Sequence, residues 1–265
     1  MKTILVVGAG LAGLAAAQEL AGQAEVTVID RLPTAGGATG WNDPVVSSLE
    51  RGCRASGVHF LLGATALRWT ALRLLVAAPG QIQWLAGDAL VCATGSRPST
   101  MSESRLLGNR LAGVVSATVA KHLLEARVRF GKRPVVIGTG DWPEVVAEAL
   151  HHQGLPVCVV SRDVEDKPDY ADEWWPGWRP ATVFGHGRVE QLIVIRKAQQ
   201  ARILCDAVIL ADGLRPLRNI EGAVFGGEQV TFIQGVSPRA TAEEVVAGAK
   251  EAARQMLSGV GRSAE

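Results

Sequence analysis

Residues 3–30, which read TILVVGAGLAGLAAAQELAGQAEVTVID, decide the fold of this chain. Their first apolar run, residues 4–7, predicts a short strand that is buried on both faces. The Ala-rich run at residues 11–20 predicts a helix, and residues 26–29 predict a second strand. The stretch therefore predicts a β–α–β unit in which Asp30 ends the second strand.

The turn between the first strand and the helix carries the pattern Gly-x-Gly-x-x-Gly at Gly8, Gly10 and Gly13. Gly8 permits the tight turn, Gly10 lets the backbone approach a pyrophosphate, and Gly13 lets the helix lie close to the strand. The helix then directs its free N–H groups and the positive end of its dipole toward the phosphates. Asp30 stands 22 residues after Gly8, where a carboxylate can accept hydrogen bonds from ribose hydroxyls. The sequence thus predicts a site for an ADP-containing dinucleotide, with a glycine-rich turn that binds no ligand as the alternative.

The same pattern occurs again at residues 134–162, where a strand, a turn with Gly138 and Gly140, a helix and a strand follow one another. Each copy has a related segment downstream, DALVCATGSRP at residues 88–98 and DAVILADGLRP at residues 206–216. The two segments align without gaps and end in the same Gly-x-Arg-Pro. Such an internal repeat indicates that one nucleotide-binding architecture occurs twice.

The second turn departs from the pattern of the first. Trp142 and Pro143 are bulky residues in this turn, and Pro143 takes the place of the third glycine. Ser161 and Arg162 follow the second strand at the point where an acid would favour NAD. Arg162 is a candidate to bind the 2′-phosphate of NADP. A solvated arginine, a vestigial site and a site for another adenine nucleotide are the alternatives.

Each copy also contains short alternating segments, which predict a small antiparallel meander beside the parallel sheet. The predicted meander strands are residues 58–62, 73–77 and 81–85 in the first copy and residues 182–185, 188–196 and 201–204 in the second. Residues 240–258 predict an amphipathic C-terminal helix.

Residues 163–180 differ from the rest of the chain, because they are acidic, contain prolines and are rich in tryptophan, and they predict a loop. Trp174, Trp175 and Trp178 would expose a large apolar surface unless something covers them. Three alternatives are packing within the fold, contact with a partner subunit, and contact with a substrate or nicotinamide.

The composition excludes several classes of partner. The formal net charge is +1, so the chain creates no field that would gather nucleic acid or an anionic membrane, and we expect neither partner. No apolar run approaches the ~20 residues of a membrane span, and a cytoplasmic protein is expected. The four cysteines form no Cys-x-x-Cys pair, and we expect buried free thiols rather than a redox disulfide or a metal site.

The motifs resemble those of the two-dinucleotide-binding-domain flavoproteins, the pyridine nucleotide–disulfide oxidoreductase superfamily. The resemblance rests on GAGLAGLAAA at residues 8–17, Asp30-Arg31, Gly36-Gly37, ATGSRP at residues 93–98, GTGDWP at residues 138–143 and DGLRPLRN at residues 212–219. It implies an α/β fold of two Rossmann-like domains, the second inserted in the first. The FAD-binding domain would comprise residues 1–107 and 218–265, and the NAD(P)-binding domain would comprise residues 108–217.

The resemblance also implies that the first glycine motif, its acid and the ATG motif hold FAD, while the second glycine motif binds NADP or NAD. The residues expected to contact FAD are Gly8, Gly10, Leu11, Ala12, Gly13, Asp30, Arg31, Gly37, Ala93, Thr94 and Gly95. Those expected to contact the pyridine nucleotide are Gly138, Gly140 and Arg162. The expected function is that of an FAD-dependent oxidoreductase, or of the flavoprotein subunit of a heteromeric dehydrogenase or oxidase. It would transfer hydride between FAD and NAD(P)H or a small substrate. Its binding partner would be that small-molecule substrate or a redox partner.

Departures from the family pattern leave a second function open. Gln234-Gly235 stands where the family has Gly-Asp, whose acid meets FAD, and we expect the chain to lack a counterpart of the family's interface domain. A homo- or hetero-oligomer is therefore expected to cover the surface that this domain would cover. Together with the bulky second turn, these departures allow a non-catalytic nucleotide-binding accessory subunit that docks a catalytic partner. Trp41 is expected either to contact the flavin or to pack as a loop residue.

Overall fold

The structure is a computed structural model, and it describes residues 1–129, 131–163, 166–217, 229–233 and 237–260. The chain divides into two compact units. The first unit comprises Met1–Ser96 with the described parts of Pro216–Val236 and Ala240–Glu265, and the second comprises Arg97–Arg215 with Ser237–Arg239. The sequence placed these boundaries near residues 107 and 217, and the assignment of a cofactor to each unit stays a prediction.

The first unit is built on a five-stranded parallel sheet with strand order β18-β7-β1-β2-β3. Its strands are β1 (Lys2–Val7), β2 (Ala24–Asp30), β3 (His59–Leu62), β7 (Ala89–Cys92) and β18 (Val230–Phe232). Its helices are α1 (Leu11–Leu20), α2 (Pro44–Ala55) and α5 (Ala242–Val260). Ile4 and Val6 pack among the helices, whereas Leu5 and Val7 pack against the meander on the opposite face. The prediction of a first strand buried on both faces is therefore confirmed.

The meander of the first unit has the order β4-β5-β6, with β4 (Thr65–Thr70), β5 (Arg73–Ala78) and β6 (Gln81–Ala86). The assignment of residues 58–62 to this meander is wrong, because β3 pairs in parallel with β2 in the main sheet. The strand that completes the meander is β4, which the sequence did not mark. A shift of register between Ala66 and Arg68 interrupts its alternation of inward and outward residues, and this hides the period of two.

The second unit repeats this plan, with a five-stranded parallel sheet of order β12-β11-β10-β16-β9. Its strands are β9 (Val114–Ser116), β10 (Pro134–Ile137), β11 (Cys158–Val160), β12 (Glu173–Trp175) and β16 (Ala207–Leu210). Its helices are α3 (Ala117–Glu125) and α4 (Asp141–His151), and its meander is β13 (Arg179–Phe184), β14 (Gln191–Arg196) and β15 (Gln199–Leu204). The short strands β8 (Ser96–Arg97) and β17 (Arg215–Pro216) lie where the chain passes from one unit to the other. The α/β class, with two Rossmann-like units that each carry a small meander, is confirmed.

The tryptophan-rich stretch is not simply a loop, because β12 adds to the edge of the sheet in parallel with β11. Trp174 packs against one core cluster of the second unit, and Trp175 and Trp178 pack against another. The rings of Trp175 and Trp178 meet edge to face at 5.4 Å, and the guanidinium of Arg196 lies 5.2 Å from the centre of the Trp178 ring. These contacts favour packing within the fold among the three alternatives.

An ion pair near the start of the second unit gives a pH-dependent prediction. Glu103 accepts bonds of 2.7 and 3.1 Å from the guanidinium of Arg97 and one of 2.8 Å from the N–H of Thr100. The Arg97 bonds above all lower the pKa of the Glu103 carboxyl from 4.5 to about 2. The stabilisation is therefore complete above the ordinary pKa and is lost as the pH falls toward 2.

We expect Glu103→Gln to lower the free energy of unfolding by ~0.5–1 kcal/mol at neutral pH, because both side chains are about one-third exposed. The difference from the wild type should shrink as the pH falls from about 5 to about 2, as urea unfolding would measure. Glu50→Gln, which removes an exposed pair with Arg54 on one helix face, is the control and should cost less. If the difference in the free energy of unfolding between wild type and Glu103→Gln stayed constant down to about pH 2, the Arg97–Glu103 pair would not be the source of the lowered pKa of Glu103.

Candidate nucleotide-binding sites

The first candidate site lies at the carboxyl ends of β1, β2 and β7. The chain runs outward from β1 to β2 and β3, and then returns to place β7 on the other side of β1. A crevice opens at such a switch of direction, and ligands of open α/β sheets bind there. Hydrogen bonds hold the end of β1 to both neighbouring strands. Gly8 N–H donates to Ile29 O of β2 (2.8 Å), and Ala93 N–H, directly after β7, donates to Val7 O (2.8 Å).

Gly8 has no room for a side chain. A Cβ on this residue would stand 2.3 Å from the carbonyl oxygen of Ala93, and its φ of +111° is one that other residues rarely adopt. The tight turn predicted here therefore requires glycine at position 8 for two reasons. One is the backbone conformation, and the other is the close approach of the segment that follows β7.

Gly13 performs the packing role that the motif predicts. A Cβ on Gly13 would stand 1.8 Å from the carbonyl oxygen of Gly8. Helix α1 thus lies directly on the end of β1, and only hydrogen fits between them. Leu11 and Ala12, in the same turn, are half-buried and pack against the core of the first unit. Their side chains do not line the cavity, so a role in binding would fall to their backbone N–H groups.

Gly10 differs from the other two glycines, because nothing lies within 3.9 Å of the position of its Cβ. Its backbone faces the cavity beside a second glycine-rich loop, in which Gly36 N–H donates to Ala9 O (2.8 Å). Gly37 lies so close to the first turn that its own Cβ would stand 3.2 Å from Gly10 Cα. A pyrophosphate can approach the backbone only where no side chain stands in the way. The open space at Gly10 is such a cradle, and a Cβ would begin to fill it.

Asp30 ends β2 at the wall of the cavity, where its carboxylate accepts hydrogen bonds from the N–H groups of Ala9 (2.6 Å) and Leu32 (2.8 Å). These bonds fix the orientation of the carboxylate. Two carboxylate oxygens offer about four acceptor positions, so both hydroxyls of a ribose can still be bound. Arg31 lies next to it, exposed, and brings a positive charge to the cavity.

The cavity has a volume of about 420 Å³ and lies within the first unit. The FAD-binding residues predicted from the sequence that line it are Gly8, Gly10, Asp30, Arg31, Gly37, Ala93, Thr94 and Gly95. Thr65 and Ala66 of β4 also line it and were missed, because the bulge in β4 hid that strand. Leu217, whose N–H donates to Gly95 O (2.8 Å), was missed as well.

The charges around the first cavity suit a dinucleotide. Helix α1 has no acid in its first turn and no side-chain cap, so neither would compete with a bound phosphate for its N–H groups and dipole. Helix α5 is different, because Thr241 and Glu244 form a reciprocal cap at its start, with bonds of 2.8 and 3.2 Å. The expected departure at Gln234-Gly235 lies outside the described residues. The first cavity therefore fits the ADP part of FAD.

The second site repeats the geometry of the first one. Gly138 N–H donates to Val160 O (2.9 Å) and Ala211 N–H donates to Ile137 O (2.9 Å), which are the counterparts of the two bonds that frame β1. Gly138 has a φ of +127°, and its Cβ would stand 2.7 Å from Asp212. A cavity of about 110 Å³ opens beside it, within the second unit.

The bulky residues of the second turn do not block this cavity. Pro143 is buried and Trp142 packs against the core around α4, so neither residue lines the cavity. Gly140 precedes α4, with a φ of +89°, and does not line the cavity either. The bulk of Trp142 and Pro143 is therefore taken up by packing against the core, and the cavity stays open beside them.

Charge is what distinguishes the second site. Asp163 accepts a hydrogen bond of 2.7 Å from the hydroxyl of Thr139, in the middle of the glycine turn. Arg162 lines the cavity but donates to the carbonyl oxygen of Ser104 at 3.0 Å. Asp163 was missed because it follows the strand by three residues, and a turn in which its N–H donates to Ser161 Oγ (2.9 Å) brings it back.

Further acids lie at the N-terminus of α4, where Asp141 and Glu144 occupy the first turn. Glu144 forms an ion pair of 2.5 Å with Arg239, which also pairs with Glu148. Asp212 lines the cavity as well. A negatively charged helix start weakens the attraction for phosphates, so the second site is less favourable for a dinucleotide than the first.

The cysteines are confirmed as buried free thiols. Burial raises the pKa of the Cys53 and Cys205 thiols to about 11, and it also raises the pKa of Cys158. Thiols of this kind are inert at neutral pH. Burial therefore argues against a nucleophilic role for these three thiols.

The two units and their cavities define a protein with two dinucleotide-binding folds. The family model of pyridine nucleotide-disulphide oxidoreductases matches residues 2–166, more than half of the sequence. The chain belongs to this family of oxidoreductases, which combine FAD with NAD(P)H. No curated protein matches the chain by sequence.

Three solved structures show the same fold at low sequence identity. A pyridine nucleotide-disulfide family oxidoreductase from Enterococcus faecalis V583 is 17% identical with a TM-score of 0.70, and the match covers 97% of this chain and 69% of that chain. Thioredoxin reductase from Lactococcus lactis in the FR conformation is 14% identical with a TM-score of 0.66, and the match covers 98% and 99%. L-proline dehydrogenase from P. horikoshii is 19% identical with a TM-score of 0.61, and the match covers 98% of this chain but little more than half, 56%, of that chain.

In the part of the chain that the structure describes, no helix has the length and apolar character to cross a membrane.

Proposed function

We propose that the chain is an FAD-dependent oxidoreductase, or the flavoprotein subunit of a heteromeric dehydrogenase or oxidase, which passes hydride between FAD and NAD(P)H or a small substrate. The observation that carries the proposal is the open glycine cradle at Gly10, framed by an acid-free helix start and by Asp30. When bound, a flavin accepts or gives up a hydride at its N5 atom. The protein then contributes binding, orientation and electrostatics.

The residues of the first cavity divide this work. The backbone at Gly8 and Gly10 and the start of α1 would hold the pyrophosphate, with Arg31 adding a positive charge. Asp30 would orient the ribose, because the N–H groups of Ala9 and Leu32 already fix its carboxylate. Thr94 and Gly95 close the cavity at the end of β7. Asp30 is the one acid that lines this cavity among the described residues, and it serves as an acceptor, so direct hydride transfer is the chemistry that this site favours.

An absorbance spectrum tests the proposal most directly. The protein purified under mild conditions should be yellow, and adding NADH under anaerobic conditions should bleach the flavin bands. Protein that is colourless and takes up no FAD on incubation would contradict the proposal.

For the second cavity, we infer a preference for NADH over NADPH. The carboxylate of Asp163 stands at the glycine turn, whereas the predicted ligand of the 2′-phosphate, Arg162, is engaged with Ser104. A 2′-phosphate would add negative charge beside Asp163, while a 2′-hydroxyl could donate to it.

We expect Asp163→Asn to raise the ratio of kcat/KM for NADPH to that for NADH by about tenfold, which corresponds to ~1.4 kcal/mol. Steady-state kinetics with both nucleotides would measure the ratio. Asp169→Asn, which removes an exposed acid that does not line the cavity, should leave the ratio unchanged. A selective loss of NADPH activity in Arg162→Ala would contradict the inference and restore the role first predicted for Arg162.

A second candidate function is a nucleotide-binding accessory subunit that docks a catalytic partner. The acids around the second cavity favour it, because they weaken the case for a working pyridine-nucleotide site. This function predicts a protein that retains FAD but is not reduced by NADH or NADPH unless a partner chain is added. In either function, we propose that the partners are a small molecule or a redox protein within a homo- or hetero-oligomer, and not nucleic acid or a membrane.

A further inference from the structure

The meander of the first unit ends in an unusual edge strand. Among the described residues, β6 has one neighbour in the order β4-β5-β6, the strand β5, with which it pairs continuously from Gln81 to Ala86. Its sequence, QIQWLA, contains no charged residue and no proline. Natural proteins usually protect a free edge with a charge, a proline or a bulge, because unpaired backbone groups bind other strands.

The other edge strands of the two described meanders all carry such protection. In the first unit, β4 has Arg68 and a shift of register beside it. In the second unit, β13 has Pro180 and a shift that follows it, and β15 has Arg202. Of these four edges, β6 alone is unprotected, so the contrast is found within one molecule.

The outward face of β6 is also apolar. Ile82 is 71% exposed and Trp84 is 47% exposed. Their partners on β5, Ala77 and Leu75, extend the same face and are half-buried. A contiguous apolar face of this kind beside a free edge marks a surface for association.

From these features we propose that two copies of this chain associate through antiparallel pairing of β6 with β6 of the second copy. A two-fold axis at Gln83 places Ile82 opposite Trp84 of the second copy, and Trp84 opposite Ile82 of the second copy. Pairs of a β-branched and an aromatic side chain stabilise neighbouring strands. The two meanders then form one continuous six-stranded sheet.

The strand favours a second copy over a different partner, because it complements itself. An uncharged edge offers no electrostatic pattern by which a different chain would be selected. The net charge of +1 does not oppose association of two copies.

The paired edge lies away from the first cavity. Thr65 and Ala66, which line that cavity, belong to β4, and β5 separates β4 from β6. The proposal therefore stands apart from cofactor binding.

A charge on the edge tests the association. Light scattering of the full chain, from about 1 to about 100 µM, should show a dimer for the wild type and a monomer for Ile82→Lys. Leu204→Lys is the matched control, since Leu204 is 56% exposed on the protected edge β15, and this variant should remain dimeric. Flavin content should be the same in all three proteins, whereas the melting temperature of the two dimeric proteins should rise with protein concentration and that of Ile82→Lys should not. A wild type that stays monomeric, or an Ile82→Lys variant that stays dimeric, would overturn the proposal.

Cross-linking tests the register. In the proposed pairing, the two copies of residue 83 face each other at a Cα separation of about 4.5–5.5 Å, which suits a disulfide. The two copies of residue 81 stand about 13 Å apart along the strands. Under mild oxidation, Gln83→Cys should give a covalent dimer and Gln81→Cys should not, and the four native thiols are buried and should not contribute. Equal cross-linking of both variants, or of neither, would overturn the pairing.

Discussion

Gly13→Ala is expected to destabilise the first unit by about 3 kcal/mol or more, although alanine is the better helix former. The added Cβ would overlap the carbonyl oxygen of Gly8 at 1.8 Å, and that oxygen belongs to the backbone. The turn cannot shift to make room, because Gly8 is bonded to β2 through Ile29 and its other side meets Ala93 at the end of β7. Helix α1 would have to move off the sheet, and with it the contacts to α2 and α5.

Thermal unfolding and urea titration would measure this effect. A loss of about 3 kcal/mol corresponds to a melting temperature ~6–12 °C lower for a chain of this size. Gly22→Ala is the control for the same chemical change, because a Cβ on Gly22 meets nothing within 4 Å, and it should leave stability within ~0.5 kcal/mol. If Gly13→Ala were as stable as this control, the close packing of α1 on β1 would not exist in the protein.

The first β–α–β unit could be predicted from sequence because its signals are local. The helix occupies Leu11–Leu20, the range that the Ala-rich run indicated, and the strands on either side extend at most two residues beyond either end of their apolar runs. Gly8 and Gly13 are required because close contacts within the unit leave no room for a Cβ, and Gly10 leaves open space beside the turn. Patterns of this kind are fixed by neighbouring residues, so they can be read without knowledge of the rest of the fold.

The parts that were missed depend on distant pairings. The strand β3 was assigned to the meander because its four residues carry no period that distinguishes a parallel strand from an antiparallel one. The strand β12 was hidden in a loop because its tryptophans suggested exposure, whereas the edge of β11 was available to pair with it. In both cases the assignment depends on which strand edge of the sheet is free to pair, and the sequence of one chain does not reveal this.

The candidate sites show the same division. The glycines and Asp30 were predicted because backbone geometry demands those residue types at that spacing. Asp163 was not predicted, since its position depends on a turn after β11. The sequence also did not indicate that the side chain of Trp142 packs against the core rather than beside the cavity. Side-chain direction at a turn is set by tertiary packing, so the charge of the second cavity could not be predicted from its motif.

Gly10→Ala is expected to separate cofactor binding from folding. Its Cβ would have at least 3.9 Å to every neighbouring atom, and its φ of −79° suits alanine, so the stability of the protein without cofactor should stay within ~0.5 kcal/mol of the wild type. The same methyl group would stand where a pyrophosphate must approach the backbone, beside the N–H groups of α1. We therefore expect FAD to bind at least about tenfold more weakly, a loss of ~1.4 kcal/mol or more.

Titration of the apoprotein with FAD, followed by flavin fluorescence, would measure this loss, with Gly22→Ala as the control that should bind as the wild type does. The comparison with Gly13→Ala sharpens the test, because the same methyl group three residues away should lower the melting temperature. If Gly10→Ala bound FAD with unchanged affinity, the pyrophosphate would not lie at this turn, and the function proposed for the first cavity would fail. If it lost stability instead, the open space at Gly10 would be filled by the protein itself, and the turn would be a structural element without a ligand.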